Sequence, residues 1–127
     1  MSHVSSPELV ALGEVLIDFT QAGFSANGQV LFERNAGGAP ANVAVQVVRL
    51  GMSAQFVGKV GADMHGDFLR RSLQERGVGV SSVVQDPEAF TTLAFVEVDP
   101  RTAERSFSFA RKPGADTRLS PAEVPEQ

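Results

Sequence analysis

Two segments with helical periodicity constrain the fold of this chain more than any other feature. The first covers residues 41–50 and is followed by Gly51 as a stop signal. Its apolar residues, spaced by four and three, are Val43, Val47 and Leu50. The second covers about residues 66–76, with Asp63 as a candidate cap, and residues 54–60 between the two have the composition of a strand. Alternating helix and strand segments predict an α/β domain.

Further strand-like segments lie on either side of this unit. A short apolar run at residues 9–12 is typical of a buried strand. Four other β-rich segments lie near residues 15–19, 30–33, 91–98 and 106–109. Residues 21–29, 35–38 and 79–87 are predicted to be turns or loops. Hairpin-like strands inserted beside the helix and strand segments form a pattern that simple alternation of helix and strand would not give.

The charge balance and the residue types exclude several classes of function. With 11 Lys and Arg against 15 Asp and Glu, the net charge is −4, and no basic run offers a surface for nucleic acid or anionic lipid. The chain has no cysteine, which excludes disulfides and thiolate chemistry and is typical of a reducing, cytoplasmic setting. We expect no nucleic acid and no membrane among the partners, whereas neutral small molecules fit.

Two places in the sequence are candidates for ligand binding. Gly37 and Gly38 stand directly before a helix, where free backbone amides can hold oxygen atoms, and Asn42 offers a donor and an acceptor to a hydroxyl group. A plain turn would explain the two glycines equally well. Asp18 lies close to a strand end, where a polyol could satisfy its carboxylate, but a solvated loop carboxylate would look the same.

The basic residues give no nucleotide motif. Gly58 and Lys59 lack the rest of a phosphate-binding loop, because Ser53 stands where a glycine is required and Val60 where Ser or Thr is required. Lys59 is therefore interpreted as a solvated or structural lysine. Arg111 could meet a charged substrate group, or it could be exposed to solvent only.

The glycine-rich segments together resemble the first signature region of the ribokinase-like PfkB carbohydrate kinases. The matching residues are Gly37-Gly38-Ala39-Pro40-Ala41-Asn42-Val43-Ala44, Gly51, Gly58-Lys59-Val60-Gly61-Ala62-Asp63 and Gly66. Residues 92–96 and 107–116 are similar to the corresponding stretch of bacterial fructokinases. The resemblance extends from about residue 9 to residue 123.

For the fold, the resemblance implies a ribokinase-like three-layer αβα arrangement with a mostly parallel sheet and a small β-sheet lid. Residues 1–127 would form the N-terminal portion of a single kinase domain, and the four β-rich segments would form the lid. In such kinases the lid often mediates dimers, so we expect a homodimer through the lid. The alternation of Phe107 and Phe109 fits an exposed lid face, and core packing explains it equally well.

For the site, the resemblance implies a sugar-binding set and a substrate. The residues that would hold the sugar hydroxyls are Asp18, Gly37, Gly38 and Asn42. The lid positions near the sugar would be Phe95, Phe107 and Arg111. Ala39-Pro40 is like the pair in fructokinases and 2-keto-3-deoxygluconate kinases, whereas ribokinases carry lysine at position 39. The expected substrate is therefore fructose or a similar keto sugar.

The second signature of the family is absent from these 127 residues. In the family, a Gly-Ala-Gly-Asp loop carries the catalytic base, and an ATP-binding region follows it. Gly114-Ala115-Asp116 only looks similar, because it lacks the second glycine. The resemblance therefore implies ATP and Mg²⁺ as cofactors of a full-length kinase. For this chain alone we expect no catalytic residue, weak cofactor binding and no turnover, as in a truncated kinase.

Two other interpretations remain open. The chain would also fit a fragment of a 2-keto-3-deoxygluconate kinase, whose acidic substrate would need a basic contact such as Arg111. It would fit equally a non-catalytic sugar-binding module that dimerises through its lid.

Overall fold

The chain folds into two sheets, and both helices pack mainly on the first of them. The computed structural model describes residues 5–126. Its strands are β1 Leu9–Leu12, β2 Leu16–Phe24, β3 Val30–Gly37, β4 Ala54–Gly61, β5 Gly79–Asp86, β6 Leu93–Val98 and β7 Arg105–Ala110. Its helices are α1 Ala39–Arg49 and α2 Met64–Glu75, followed by short 3-10 segments at Ala115–Arg118 and Pro121–Glu123.

The first sheet, here called the core sheet, has the strand order β1-β4-β5 and is parallel throughout. Leu9 lies opposite Ala54 at the start of the β1–β4 pair. Both helices cover the face that carries Ala11, Phe56 and Val60, and the last two side chains are fully buried. Helix–strand alternation around a parallel sheet confirms the predicted α/β class.

The opposite face of the core sheet carries exposed apolar side chains. Val10 and Leu12 are 41% and 53% exposed. The segment Val124–Glu126 lies along this face, together with Gln55 and Val57. Within residues 5–126 the helices therefore supply one layer beside the core sheet.

The second sheet, here called the lid sheet, has the order β3-β2-β6-β7. Its central strands β2 and β6 are parallel, with Asp18 opposite Ala94, while both outer pairs are antiparallel. Asp18 also lies opposite Asn35 of β3. The lid sheet thus joins two hairpins that are distant in sequence, and all four predicted β-rich segments lie in it.

Several predicted strand boundaries were wrong. The prediction for β6 was too long, because the strand begins at Leu93 and not at residue 91, and the larger errors made strands too short. Residues 21–24 continue β2 through a bulge, and residues 35–37 continue β3, so only the turn around Ser25 and Gln29 remains a loop. Residues 79–86 form strand β5 rather than a turn-rich stretch, because Val80 and Val83 are buried and the strand pairs with β4. Small and polar residues obscured these strands in the sequence.

The buried face of α1 also differs from the prediction. Ala41, Ala44 and Val45 contact the core, whereas Val43 and Leu50 are 52% and 69% exposed. Alanine side chains allow the helix to approach the sheet closely, but a pattern that counts only large apolar residues overlooks them. The predicted cap of α2 is confirmed: Oδ1 of Asp63 accepts hydrogen bonds from the amides of His65 and Gly66 at 3.1 and 2.8 Å.

The same aspartate joins the lid sheet to α2. Oδ2 of Asp63 accepts a hydrogen bond from the Thr91 amide at 2.9 Å, and Oδ1 accepts one from the Thr91 hydroxyl at 2.8 Å. Thr91 is 1% exposed, and its neighbour Thr92 accepts a hydrogen bond from the Ile17 amide of β2 at 3.1 Å. Because Thr91 and Thr92 directly precede β6, these bonds fix where the lid sheet begins.

No helix within residues 5–126 is long and apolar enough to cross a membrane.

Candidate functional site

Asp18 and the glycine pair form one compact cluster between the two sheets. Gly37 ends β3, and a Cβ built on it would overlap the carboxylate of Asp18. A Cβ on Gly38 would lie 2.5 Å from the carbonyl oxygen of Glu14. A side chain at Gly38 would collide with this backbone carbonyl, whereas one at Gly37 would have to displace the Asp18 carboxylate.

The glycine pair also leads into α1, as expected. Gly38 is the N-cap residue, with a φ of 106° that favours glycine, and no side chain caps the helix. The Asn42 amide donates to the Gly38 carbonyl at 3.0 Å and closes the first turn. The earliest amides of a helix have no intrahelical acceptors, so the start of α1 is a donor site beside Asp18.

The carboxylate of Asp18 is half-buried and lacks partners. No hydrogen bond from residues 5–126 reaches it. Burial, and next the negative charge of Glu14, raise the pKa of Asp18 above its ordinary value. A carboxylate that has lost water and gained no donor is suited to a ligand that brings hydroxyl groups.

The lid sheet divides the predicted lid residues between its two faces, because side chains alternate along a strand. One face, here called the Asp18 face, contains a groove of about 260 Å³. Its lining residues are Asp18, Thr20, Asn35, Val96, Val98, Arg105 and Phe107. Phe107, 58% exposed, therefore lies on the same face as Asp18, as the sugar-binding prediction requires.

Phe95 lies on the other face of the lid sheet. Its ring stacks on Phe19 at a centroid distance of 5.2 Å and meets the edge of Phe32 at 6.2 Å. Phe19 in turn meets the His65 ring of α2 at 5.7 Å. The structure does not bring Phe95 together with Asp18. Side chains alternate along β6, and the side chain of Phe95 lies on the face toward α2.

Asn42 is only partly associated with this cluster. It is exposed on the first turn of α1 and lines a crevice with Gly37, Ser72 and Arg76. That crevice measures about 10 Å³, room for no more than a water molecule. An interaction between Asn42 and a sugar would therefore take place outside this crevice.

Arg111 is held by two carboxylates. Its Nη2 donates to Oε2 of Glu14 and to Oδ2 of Asp116, both at 2.7 Å. Asp116 is also bonded to the hydroxyl of Thr92, and only 3% of its side chain is exposed. Arg111 therefore lies at the junction of the β1–β2 loop and the segment that leaves the lid sheet. It also lines an open groove of about 720 Å³ with Phe109.

Glu14 and Asp116 were missed by sequence reasoning. Asp116 belongs to the Gly114-Ala115-Asp116 stretch, whose only apparent interest was a partial likeness to the second signature. Glu14 directly follows the Gly13 bend, where a polar residue is unremarkable. Only the folded chain shows that both carboxylates converge on one guanidinium.

Lys59, another residue of the signature stretch, has a structural role here. Lys59 Nζ lies 2.9 Å from both carboxylate oxygens of Glu123 and 3.3 Å from the Arg118 carbonyl. Its side chain is 12% exposed, in agreement with the structural interpretation.

No group of three or more His, Asp or Glu residues among 5–126 is placed to hold a metal ion.

Comparisons with known proteins extend over nearly all of the chain. A family model described as pfkB family carbohydrate kinase matches residues 6–127. Fructokinase-1 of Oryza sativa subsp. japonica is 48% identical over 118 residues, which cover 91% of this chain and 36% of that protein. The curated relative is thus matched over only about a third of its own length.

Two solved structures give the same result for the fold. Fructokinase from Xylella fastidiosa with bound ATP is 43% identical and superposes with a TM-score of 0.85, covering 94% of this chain and 38% of that one. Fructokinase from Vibrio cholerae O395 in its fructose, ADP and calcium ion bound form is 31% identical, with a TM-score of 0.80 and coverages of 94% and 37%. These superpositions confirm the expected fold class.

Proposed function

Because the chain belongs to the pfkB family of carbohydrate kinases, we propose that it is the sugar-binding portion of an ATP-dependent kinase that phosphorylates fructose. The fructokinase names of its relatives and the fructose-bound state of one of them support this choice of substrate. The observation that carries the proposal is the carboxylate of Asp18, which lies without a donor beside Gly37 and the uncapped start of α1.

Each part of this cluster has a role toward a sugar. Asp18 accepts hydrogen bonds from hydroxyl groups, which replace the water lost on burial. Gly37 and Gly38 leave the backbone bare, so that a small ring can approach it closely. The free amides at the start of α1 donate to a sugar oxygen, and Asn42 adds an amide group from the first turn. Phe107 gives the adjoining groove an apolar wall.

In this proposal, sugar binding and phosphoryl transfer depend on different parts of the kinase. In this family ATP supplies the phosphoryl group, and Mg²⁺ accompanies it. The Gly-Ala-Gly-Asp loop expected to carry the base is not found in the 127 residues. We therefore assign them sugar binding without turnover, and further chain is needed for the reaction.

Titration calorimetry with fructose tests the sugar site. The Asp18→Asn variant removes the charge but keeps the shape, and Asp67→Asn on the surface of α2 is the matched control. A hydrogen bond to a charged group contributes about 1.5–3 kcal/mol, so we expect Asp18→Asn to weaken fructose binding by about tenfold to a hundredfold. Failure of the unaltered chain to bind fructose would refute the proposal.

Coupled ADP release tests the division of roles. The 127-residue chain with ATP, magnesium and fructose is expected to release no ADP above background. An equal concentration of a complete fructokinase serves as the positive control. Turnover by the short chain would show that a base lies within it, and Asp18 and Asp116 would then be the first residues to examine.

A second candidate function, a sugar-binding module that dimerises through its lid, is favoured by one observation. Large apolar side chains are exposed on β2, β3 and β7 of the lid sheet. These residues are Phe24, Val30, Leu31, Phe32, Phe107 and Phe109, with exposures of 39% to 67%. These residues lie on both faces of the lid sheet, with Phe107 on the Asp18 face and Phe32 on the face of Phe95, and exposed apolar groups of this kind are typical of contact surfaces. Sedimentation equilibrium decides the matter: a dimer that Phe32→Ser dissociates supports this function, and a monomer contradicts it.

A further inference from the structure

The groove on the Asp18 face has two charged side chains in its lining, Asp18 on β2 and Arg105 at the start of β7. Asp18 lies opposite Ala94, whereas Arg105 lies opposite Val98, which is four residues further along β6. Strands rise about 3.3 Å per residue and lie about 4.8 Å apart, so the two Cα atoms are about 16 Å apart in a flat sheet. The groove therefore carries opposite charges at its two ends.

The guanidinium of Arg105 is available to a ligand. No ion pair within residues 5–126 involves it. Arg111, by contrast, donates to Glu14 and Asp116 and lines a different groove. Of the described residues that line the Asp18 groove, only Arg105 is a cation. Its planar fork of N–H donors matches the geometry of a carboxylate.

Between the two charges the groove has an apolar floor. Val96 and Phe107 lie opposite each other in the row between Asp18 and Arg105, and Thr20 adds a hydroxyl group from β2. The groove measures about 260 Å³, which is the volume of about nine water molecules in the liquid and suits one monosaccharide. A sugar can lay its C–H groups on this floor and direct its polar groups to both ends.

The neighbouring carboxylates lie away from Arg105. Glu33 is on the same face, but β3 lies three strands from β7. Glu97 lies opposite Ser106, on the other face of the sheet. Asp18 is at the far end, and at physiological salt charges more than about 8 Å apart are largely screened. An anion at Arg105 would therefore gain a direct contact and meet only weak repulsion.

We infer that Arg105 forms an anion subsite of the proposed sugar site: it holds the end of a ketose that Asp18 does not reach, and it binds a carboxylate at that end. The inference rests on the proposed function and widens its substrate class from fructose to the keto acids made by oxidising one end of fructose. With fructose itself, Arg105 donates to a neutral hydroxyl oxygen, which is a weaker bond than one to a carboxylate.

Titration calorimetry on the 127-residue chain with three ligands tests this assignment. Fructose is compared with 2-ketogluconate, which is fructose with a carboxylate in place of its first carbon's hydroxyl group, and with fructuronate, which has the carboxylate at the last carbon. Only one end of the sugar can lie at Arg105. We therefore expect one acid to bind at least as tightly as fructose, and the other to bind at least about tenfold more weakly than the first, since its carboxylate would lie beside Asp18.

Variants of the arginine identify the group responsible. Arg105→Gln removes the charge and should weaken the preferred acid by about tenfold to a hundredfold, and fructose by less. Arg105→Lys keeps the charge and should bind that acid more tightly than Arg105→Gln does. Arg101→Gln is the matched control, because Arg101 is exposed on the turn between β6 and β7 and does not line the groove. It should leave all three affinities unchanged.

The outcomes separate this inference from the proposed function. If the unaltered chain binds none of the three ligands, the proposed function is refuted and the inference with it. If fructose binds but both acids bind more than about tenfold more weakly than fructose, or both bind equally, the inference is overturned and the sugar site stands. The inference is also overturned if Arg105→Gln and Arg101→Gln have the same effect on the acid. Binding of one acid through Arg105 without binding of fructose would support the inference and contradict the choice of fructose as substrate.

Discussion

Replacement of Asp63 gives the sharpest test of how the lid sheet is attached. This residue belongs to the stretch that matches the family signature, yet in the structure its carboxylate contacts the protein itself. It accepts four hydrogen bonds, from the His65 and Gly66 amides and from the amide and hydroxyl of Thr91, at 2.8 to 3.1 Å. We therefore expect Asp63 to stabilise the fold and to have no direct part in binding.

The magnitude follows from these contacts. Loss of an N-cap acceptor lowers the free energy of unfolding by about 0.5–2 kcal/mol. A buried amide left without an acceptor adds about 1–3 kcal/mol, and Thr91 is 1% exposed. Asp63→Ala loses both contributions, which gives about 2–4 kcal/mol. Asp63→Asn caps the helix as well as aspartate does but turns an NH₂ group toward the Thr91 amide, so it should lose about 1–3 kcal/mol.

Urea unfolding followed by circular dichroism measures these differences, provided that the slope of the unfolding free energy against urea concentration is the same in all variants. Asp67→Asn makes the same chemical change one turn further along α2, on an exposed side chain. It should alter stability by less than about 1 kcal/mol. If Asp63→Asn is as stable as Asp67→Asn, the bond to Thr91 contributes nothing, and Asp63 has to be reconsidered as a ligand-binding residue.

Three further predictions concern the glycine pair, acid pH and Lys59 of strand β4. Gly37→Ala should weaken fructose binding about tenfold with little loss of stability, because its Cβ displaces a movable carboxylate. Gly38→Ala should lower stability by at least about 1–2 kcal/mol, because Gly38 has a positive φ. Calorimetry measures the first effect and urea unfolding measures the second. Burial opposes ionisation of Asp63, but its four hydrogen bonds outweigh burial and lower its pKa, and the Glu88 amide lowers that of Asp86 in the same way. The stability that both groups contribute is present above pH 3.8 and is lost as the pH falls below it. Urea unfolding at a series of pH values across this range measures the loss. No loss would mean that the pKa values in the folded chain are ordinary. Lys59→Met should lower stability, because Glu123 loses its cation and keeps only its hydrogen bonds from Ser120; unchanged stability would reopen a ligand role.

Sequence reasoning succeeded where a feature is local. The cap at Asp63 depends on residues within one turn, and the glycine pair before α1 needs only its neighbours. The α/β class followed from the alternation of helix and strand segments along the chain. These features depend on short-range geometry, which a sequence states directly.

Other features depend on contacts between distant residues. Nothing near Glu14 in the sequence indicates Arg111, because the pair forms only when the exit from the lid sheet returns to the β1–β2 loop. The position of Phe95 was missed for a different reason. Which face a strand residue occupies depends on the register, and a shift by one residue reverses it. Strand β5 was missed because two serines weaken its β-rich composition, although pairing with β4 stabilises it.

The lid sheet has a consequence for the order in which the chain can fold. Its central pair joins β2 to β6, and α1, β4, α2 and β5 all lie between them in sequence. During synthesis, the β2–β3 hairpin must wait with one edge open until residues 93–98 have left the ribosome. Closing so long an intervening segment is slow unless the core sheet has already brought its ends together. We therefore expect the core sheet to form first, and the lid sheet to close only on a chain that is already correctly wound.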